Sequence, residues 1–227
     1  MLMRKIADFV GSYKSQRDNK KLYFIDEKNV VDFNGKILFP VEDLDKREGE
    51  LFDRTTQCFI SSGSMFTESL WKGGVLTSPL DETAYHLLVI SNLKNKQNRF
   101  MWDSHKQVLN KILAKSKLEF HYRNSKGREE SIKDCIDFGF VVIASIWIKP
   151  WYPSGRGHLV VIKGYILDSQ GKISAFILDD PFGNILTNYK ETNGESIVIP
   201  IDDWKEMVNS PIDKPRQFGF IQLKKGN

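Results

Sequence analysis

Two cysteines in 227 residues, Cys58 and Cys135, with no Cys-x-x-Cys pair, leave no framework of disulfides to staple a fold. The four histidines are scattered without ligand spacing relative to those cysteines, so neither a zinc site nor any other metal or cofactor is expected. Long apolar runs are also lacking. The longest, Phe138 to Ile148, falls well short of the roughly 20 residues a bilayer-spanning helix needs and reads as a buried strand. Residues Met1 to Val10 show neither the apolar segment nor the small-residue cleavage site of a secretory signal. The expectation is a protein that is cytoplasmic when made and reaches a cell wall, if at all, by lysis, a holin-like route or as part of a virion or other particle. Charge is nearly balanced, 33 basic against 29 acidic residues, and no basic run is interleaved with aromatics. The surplus of +4 permits attraction to anionic polymers but gives no reason to expect a nucleic-acid partner. What is present is a globular composition, with 41% hydrophobic residues, enough for one sizeable core.

Periodicity divides the chain into a helical first part and an extended second part. Ile6, Phe9 and Val10 suggest a short helix stopped near Gly11-Ser12. Residues 22 to 40 read as a β-hairpin around Asn34-Gly35, and Val41 to Glu50 as a polar connection. Phe59, Ser62, Met65, Phe66 and Ser69 recur at helical spacing, and the small residues among them suit close packing on a sheet. Further helices are expected from Asp81, over Trp102 to Leu113, and over Ser131 to Phe138, with a short strand at Phe120-His121-Tyr122. From Phe140 onward the strand candidates are Phe140 to Trp147, Leu159 to Leu167, Ile173 to Leu178, Ser196 to Ile199 and Phe218 to Leu223. A helical turn or two is expected over Ile201 to Val208. Helices first and a largely antiparallel sheet second make an α+β layout within one domain.

Two of those strands carry chemistry. Gly157-His158-Leu159-Val160-Val161-Ile162 begins with a histidine, and Phe176-Ile177-Leu178-Asp179-Asp180-Pro181-Phe182-Gly183-Asn184 ends in carboxylates. A base and its orienting acid fit side by side at that edge. Cys58 falls at the start of the first long helix, where unpaired backbone N–H groups and the peptide dipoles favour a thiolate. Thiolate, imidazole and carboxylate are what acyl transfer through a covalent intermediate requires. Each residue also has a plainer use: Cys58 as a core thiol, His158 as a strand-end histidine, Asp180 as a turn cap. Cys135 reads as core, and His86, His105 and His121 as core or surface residues. Trp151-Tyr152-Pro153 fit the wall of a substrate cleft, with Gly155-Arg156-Gly157 as its rim.

The histidine and aspartate blocks resemble those of the bacteriocin-processing, double-glycine leader cysteine peptidases, above all their stand-alone bacterial and phage relatives. Thr56-Gln57-Cys58-Phe59-Ile60-Ser61-Ser62-Gly63 resembles the cysteine block of that family, and Ser15-Gln16-Arg17-Asp18-Asn19 the segment carrying its oxyanion glutamine. The likeness runs from about residue 13 to 190. It implies a papain-like fold, an N-terminal helical part packed on a C-terminal sheet, with Cys58 as nucleophile, His158 as base, Asp180 as orienter and Gln16 as oxyanion donor. Asp179 is the rival of Asp180, and Gln57 that of Gln16, with Asp53 a further polar neighbour. Gln57, Trp151, Tyr152 and Gly157 are the expected substrate contacts. The stretch from Gln16 to Cys58 is longer than the family's, so residues 20 to 50 read as an insertion in a single domain spanning 1–227. The implied activity is hydrolysis of an amide or peptide bond, with peptidoglycan as the first substrate. The alternatives are leader-peptide or protein processing, and an inactive structural module of a phage or secretion assembly.

Overall fold

The computed structural model describes residues 2–17, 24–31, 37–47, 57–92, 101–155, 157–209 and 216–225. Asp18, Asn19, Asn34, Gly35, Asp53, Thr56 and Arg156, which figure in the sequence reading, lie outside the described residues.

The chain starts as a strand. β1 (Met3–Ile6) runs antiparallel along the C-terminal half of β7 (Gly157–Leu167), with Met3 opposite Leu167 and Ile6 opposite Gly164. This corrects the short helix expected there. So short a helix has little stability of its own, whereas the β7 edge satisfies the backbone at once. Gly164 makes the approach possible: a Cβ there would stand 2.5 Å from the Lys5 carbonyl oxygen and 2.6 Å from Ile6.

The expected hairpin is a small three-stranded sheet, β2 (Phe24–Asp26), β3 (Asn29–Val31) and β4 (Ile37–Pro40). Its first turn lies at Glu27-Lys28, with Glu27 at φ 52°. The expected polar connection contains a 3-10 turn, Val41–Asp43, and helix α1 (Leu44–Arg47). Val30 and Phe39 form a minor core there, while Val31 joins the main one.

Helix α2 (Cys58–Lys72) is the pillar of the molecule, buried at every residue from Cys58 to Leu70. A helix buried all round needs small residues where neighbours press closest. Gly63 faces the Tyr85 ring of α3 (Glu82–Ser91), where a Cβ would come within 2.0 Å. Its serines are satisfied by distant backbone: Ser62 donates to the Leu159 carbonyl at 3.2 Å, Ser64 to Leu80 at 2.7 Å and Ser69 to Phe9 at 2.6 Å. A hydroxyl bonded to a remote carbonyl offsets its desolvation cost, and these bonds tie α2 to β7 and to the segments at Leu80 and Phe9.

α4 (Trp102–Ile112), β5 (Leu118–Asn124) and α5 (Glu129–Asp137) precede the sheet strands β6 (Val142–Trp147), β7, β8 (Ile173–Asp179) and β9 (Ile197–Pro200); α6 (Ile201–Val208) and β10 (Gln217–Leu223) complete the chain. The main sheet has the order β5-β10-β6-β7-β8-β9, with β1 on β7, and its ladders are antiparallel. β6, β7 and β8 are buried on both faces, which accounts for their nearly unbroken Val, Ile and Leu runs. No helix among the described residues is long and apolar enough to cross a membrane.

Candidate active site

His158 is the second residue of β7, and Asp180 follows directly on β8, its antiparallel neighbour. His158 Nε2 lies 2.6 Å from Asp180 Oδ1, with the two side chains 6% and 0% exposed. The imidazole also lies within electrostatic reach of Cys58, which favours its protonated form. With Nε2–H given to the carboxylate, Nδ1 is the nitrogen left for sulfur. Cys58 is held there as the first residue of α2, against the N-terminal end of β7. Its predecessor Gln57 caps the helix with its carbonyl, which accepts from the Ile60 N–H at 2.9 Å, and makes no side-chain bond to the first turn. Burial alone would depress the imidazolium, but the charges of Asp180 and Cys58 outweigh it and push His158 up to about 10.

Asp180 is firmly fixed. Its Oδ1 also accepts from the Phe182 N–H at 2.8 Å, its Oδ2 accepts from the Tyr189 hydroxyl at 3.1 Å, and its own N–H donates to Gly194 O at 2.9 Å. The neighbouring Asp179, weighed as its rival, is committed elsewhere. Adjacent residues at a strand end point to opposite faces, and Asp179 Oδ1 meets Lys163 Nζ at 2.6 Å and accepts from the Ser196 N–H at 2.8 Å.

Gln16 is brought to the same place by a backbone bond, its N–H donating to Pro181 O at 2.8 Å. Gln16, Ile148, Tyr152, Gly157, His158 and Phe182 are among the residues that line a cleft of about 410 Å³; Cys58 is not among the described lining residues. Gln57 is buried beside Cys58 and is not among the described lining residues; both of its amide atoms lack a hydrogen-bond partner among the described residues. Trp151 is half-buried and packs on the main core rather than on this wall. None of the described residues of the 20–50 segment lines the cleft.

Three residues were missed by sequence reading. Tyr13 donates its hydroxyl to Asp180 O at 3.0 Å and accepts from the Gly194 N–H at 3.1 Å. Arg17 donates to the carbonyls of Phe182 and Tyr189, its guanidinium 4.2 Å from the centre of the Phe182 ring. Tyr189 holds Asp180. Tyr13 and Arg17 flank Gln16 and were available as a signal; Tyr189 lies in a polar loop with nothing to single it out. Of the remaining candidates, Cys135 is half-buried, and burial pushes its thiol up to about 12. His86 and His105 are core residues, His105 Nδ1 lying 2.6 Å from the Tyr85 hydroxyl, and His121 lies 2.8 Å from Glu119 at the surface. Among the described residues no cluster of three or more His, Cys, Asp or Glu side chains is placed to hold a metal ion.

No protein-family model matches the chain, and no curated protein matches it. Among solved structures, UfSP from C. elegans aligns over 97% of this chain at a TM-score of 0.51 and 14% identity, the chain spanning 34% of that longer protein. A presumed C39-like peptidase from Bacillus anthracis aligns over 74% of this chain and 90% of its own at 14% identity, and its TM-score of 0.45 is too low to add to the first likeness. The likeness to UfSP is one of fold: the chain has an α+β fold, helices packed on a largely antiparallel sheet, with Cys58 at the start of α2 and the His158–Asp180 pair at the neighbouring ends of β7 and β8.

Proposed function

We propose that the chain is a cysteine-dependent hydrolase that cleaves an amide or peptide bond through an acyl-enzyme, within a single domain of residues 1–227 in which residues 20–50 are an insertion. One observation supports the reading: a buried His158–Asp180 pair at 2.6 Å, under the electrostatic influence of Cys58, with His158 on the wall of a cleft that Gln16 also lines. The thiol proton passes to His158, and the sulfur adds to the substrate carbonyl. The backbone N–H of Cys58 and the Gln16 amide stabilise the oxyanion. His158 returns its proton to the leaving amine as the C–N bond breaks, leaving a thioester. Water then adds to the thioester with His158 as base, the acid departs, and the proton returns to sulfur. Asp180 keeps the ring in one tautomer throughout.

The substrate we place first is a peptide bond of peptidoglycan, reached from a released or virion-borne protein. The slight positive surplus favours approach to an anionic wall, and the cleft lining, Tyr152 and Phe182 beside uncharged Gln16 and Gly157, suits a neutral extended peptide. Purified cell walls and leader peptides ending in two glycines, each incubated with native protein and with Cys58→Ala, test the reading. New amine ends from walls, absent with Cys58→Ala, are expected. Release from the leader peptides alone moves the enzyme to protein processing, and release from neither makes the fold an inactive module.

A further inference from the structure

We infer that Tyr189 is a positioning residue: its hydroxyl holds the Asp180 carboxylate in the plane that His158 requires. The inference rests on the hydrolase reading above. Asp180 is fully buried, so each of its oxygens needs a donor. Oδ1 has two, His158 Nε2 at 2.6 Å and the Phe182 N–H at 2.8 Å. Tyr189, at 3.1 Å, is the donor that Oδ2 has among the described residues, and it fixes rotation about the last side-chain bond. Without it Oδ1 could turn away from the imidazole.

The backbone is bent to make this contact. Asn188 and Tyr189 stand in succession at φ 54° and 58°, the left-handed region that a bulky side chain seldom occupies. Tyr189 N–H donates to Asn184 O at 3.0 Å, Arg17 bonds its carbonyl at 3.4 Å, and its ring packs edge-on against Phe182 and Tyr152. A conformation so thoroughly held is one the surroundings impose. It also lays the ring edge-on to His158, with centroids 6.2 Å apart, so that the acid and base are shielded together. Burial, followed by the Asp180 charge, drives Tyr189 to titrate far above its ordinary range, so it remains a donor throughout the working pH.

The groups facing Asp180 are His158 from β7, Cys58 beyond it, Tyr189 and Tyr13, with Arg17 behind the Phe182 and Tyr189 carbonyls. The Lys163–Asp179 pair lies on the other face. Taking away this donor leaves Oδ2 without a partner among the described residues in a buried site, which weakens the hold of Asp180 on the imidazolium and so the support that the ring gives a thiolate.

The test is the pH profile of Cys58 alkylation by iodoacetamide in the full chain, read by mass spectrometry with Cys135 as internal reference. In Tyr189→Phe the acid limb should move up by about one pH unit, about tenfold slower on that side, with the plateau above it nearly unchanged. In an Asp180→Asn background, adding Tyr189→Phe should do nothing more. Should the phenylalanine variant not fold, difluorotyrosine at position 189, a stronger donor, should move the limb down. A limb that superimposes on wild type, or an additive loss in the double variant, overturns the Tyr189 assignment alone. Cys58 alkylating no faster than Cys135, or at the same rate in His158→Ala, overturns the hydrolase reading and the Tyr189 assignment with it.

Discussion

Two buried acid–base pairs share the strands β7 and β8, both at 2.6 Å, and use consecutive aspartates. The Lys163–Asp179 pair is closed: the acid has the Ser196 N–H as its second donor, and no described part of it lines the cleft. His158, in contrast, stands on the cleft wall and is under the electrostatic influence of Cys58. What separates them is that histidine has a second nitrogen to offer and lysine has none, so only one pair can pass a proton on. Burial affects the two differently as well. Around Asp179 it outweighs Lys163 and leaves the carboxyl above its usual range, the mark of a pair that gains little from its charges.

The largest expected effect opposes the two bases. His158→Ala should lower turnover by about 10²- to 10⁴-fold and should also lower the denaturation midpoint, because Asp180 then loses a buried partner. Lys163→Met should leave turnover of the folded enzyme intact while lowering stability by about 3–5 kcal/mol, because Asp179 is then buried without its cation. Adding Asp179→Leu should return most of that stability. Urea unfolding and initial rates on the same four proteins check both, and equal losses of rate in the two single variants would erase the distinction. Second, Gln16→Ala should reduce kcat by about 10²-fold and Gln57→Ala by no more than about threefold, since only Gln16 stands on the cleft wall. The reverse order would give the donor role to Gln57.

The remaining effect is on stability against pH. His158 is raised in the folded protein, so the stability it contributes is whole below its unfolded value of about 6.5 and is lost as pH climbs through about 10. Denaturation midpoints should therefore fall across that interval, and Asp180→Asn should flatten the decline. Lys163→Met should leave its shape unchanged.

Much of the site is visible along the chain, because strand and helix starts place chemistry at their ends whatever surrounds them. His158 at the head of an apolar run and Cys58 ahead of a small-residue helix are readable for that reason. The N-terminal strand was misread because Ile6, Phe9 and Val10 fit a helical face as well as they fit a strand. What settled it was the open β7 edge and the missing side chain at Gly164, both of which belong to a segment far along the chain. Tyr189 was hidden for a related reason: its backbone conformation is imposed by Phe182, Tyr152 and Arg17 rather than by its own preference.

The sequence by itself determined the order of the main helices and strands from α2 onward, the lack of a Cys-x-x-Cys framework, and the residue types able to do acyl chemistry. Those follow from local periodicity and composition. Which aspartate meets the histidine, which glutamine reaches the cleft and which tyrosine holds the acid were decided only by tertiary structure. Each depends on the face to which a side chain turns once two remote segments are packed, and that direction is set by β-sheet register and by close contacts such as Gln16 on Pro181.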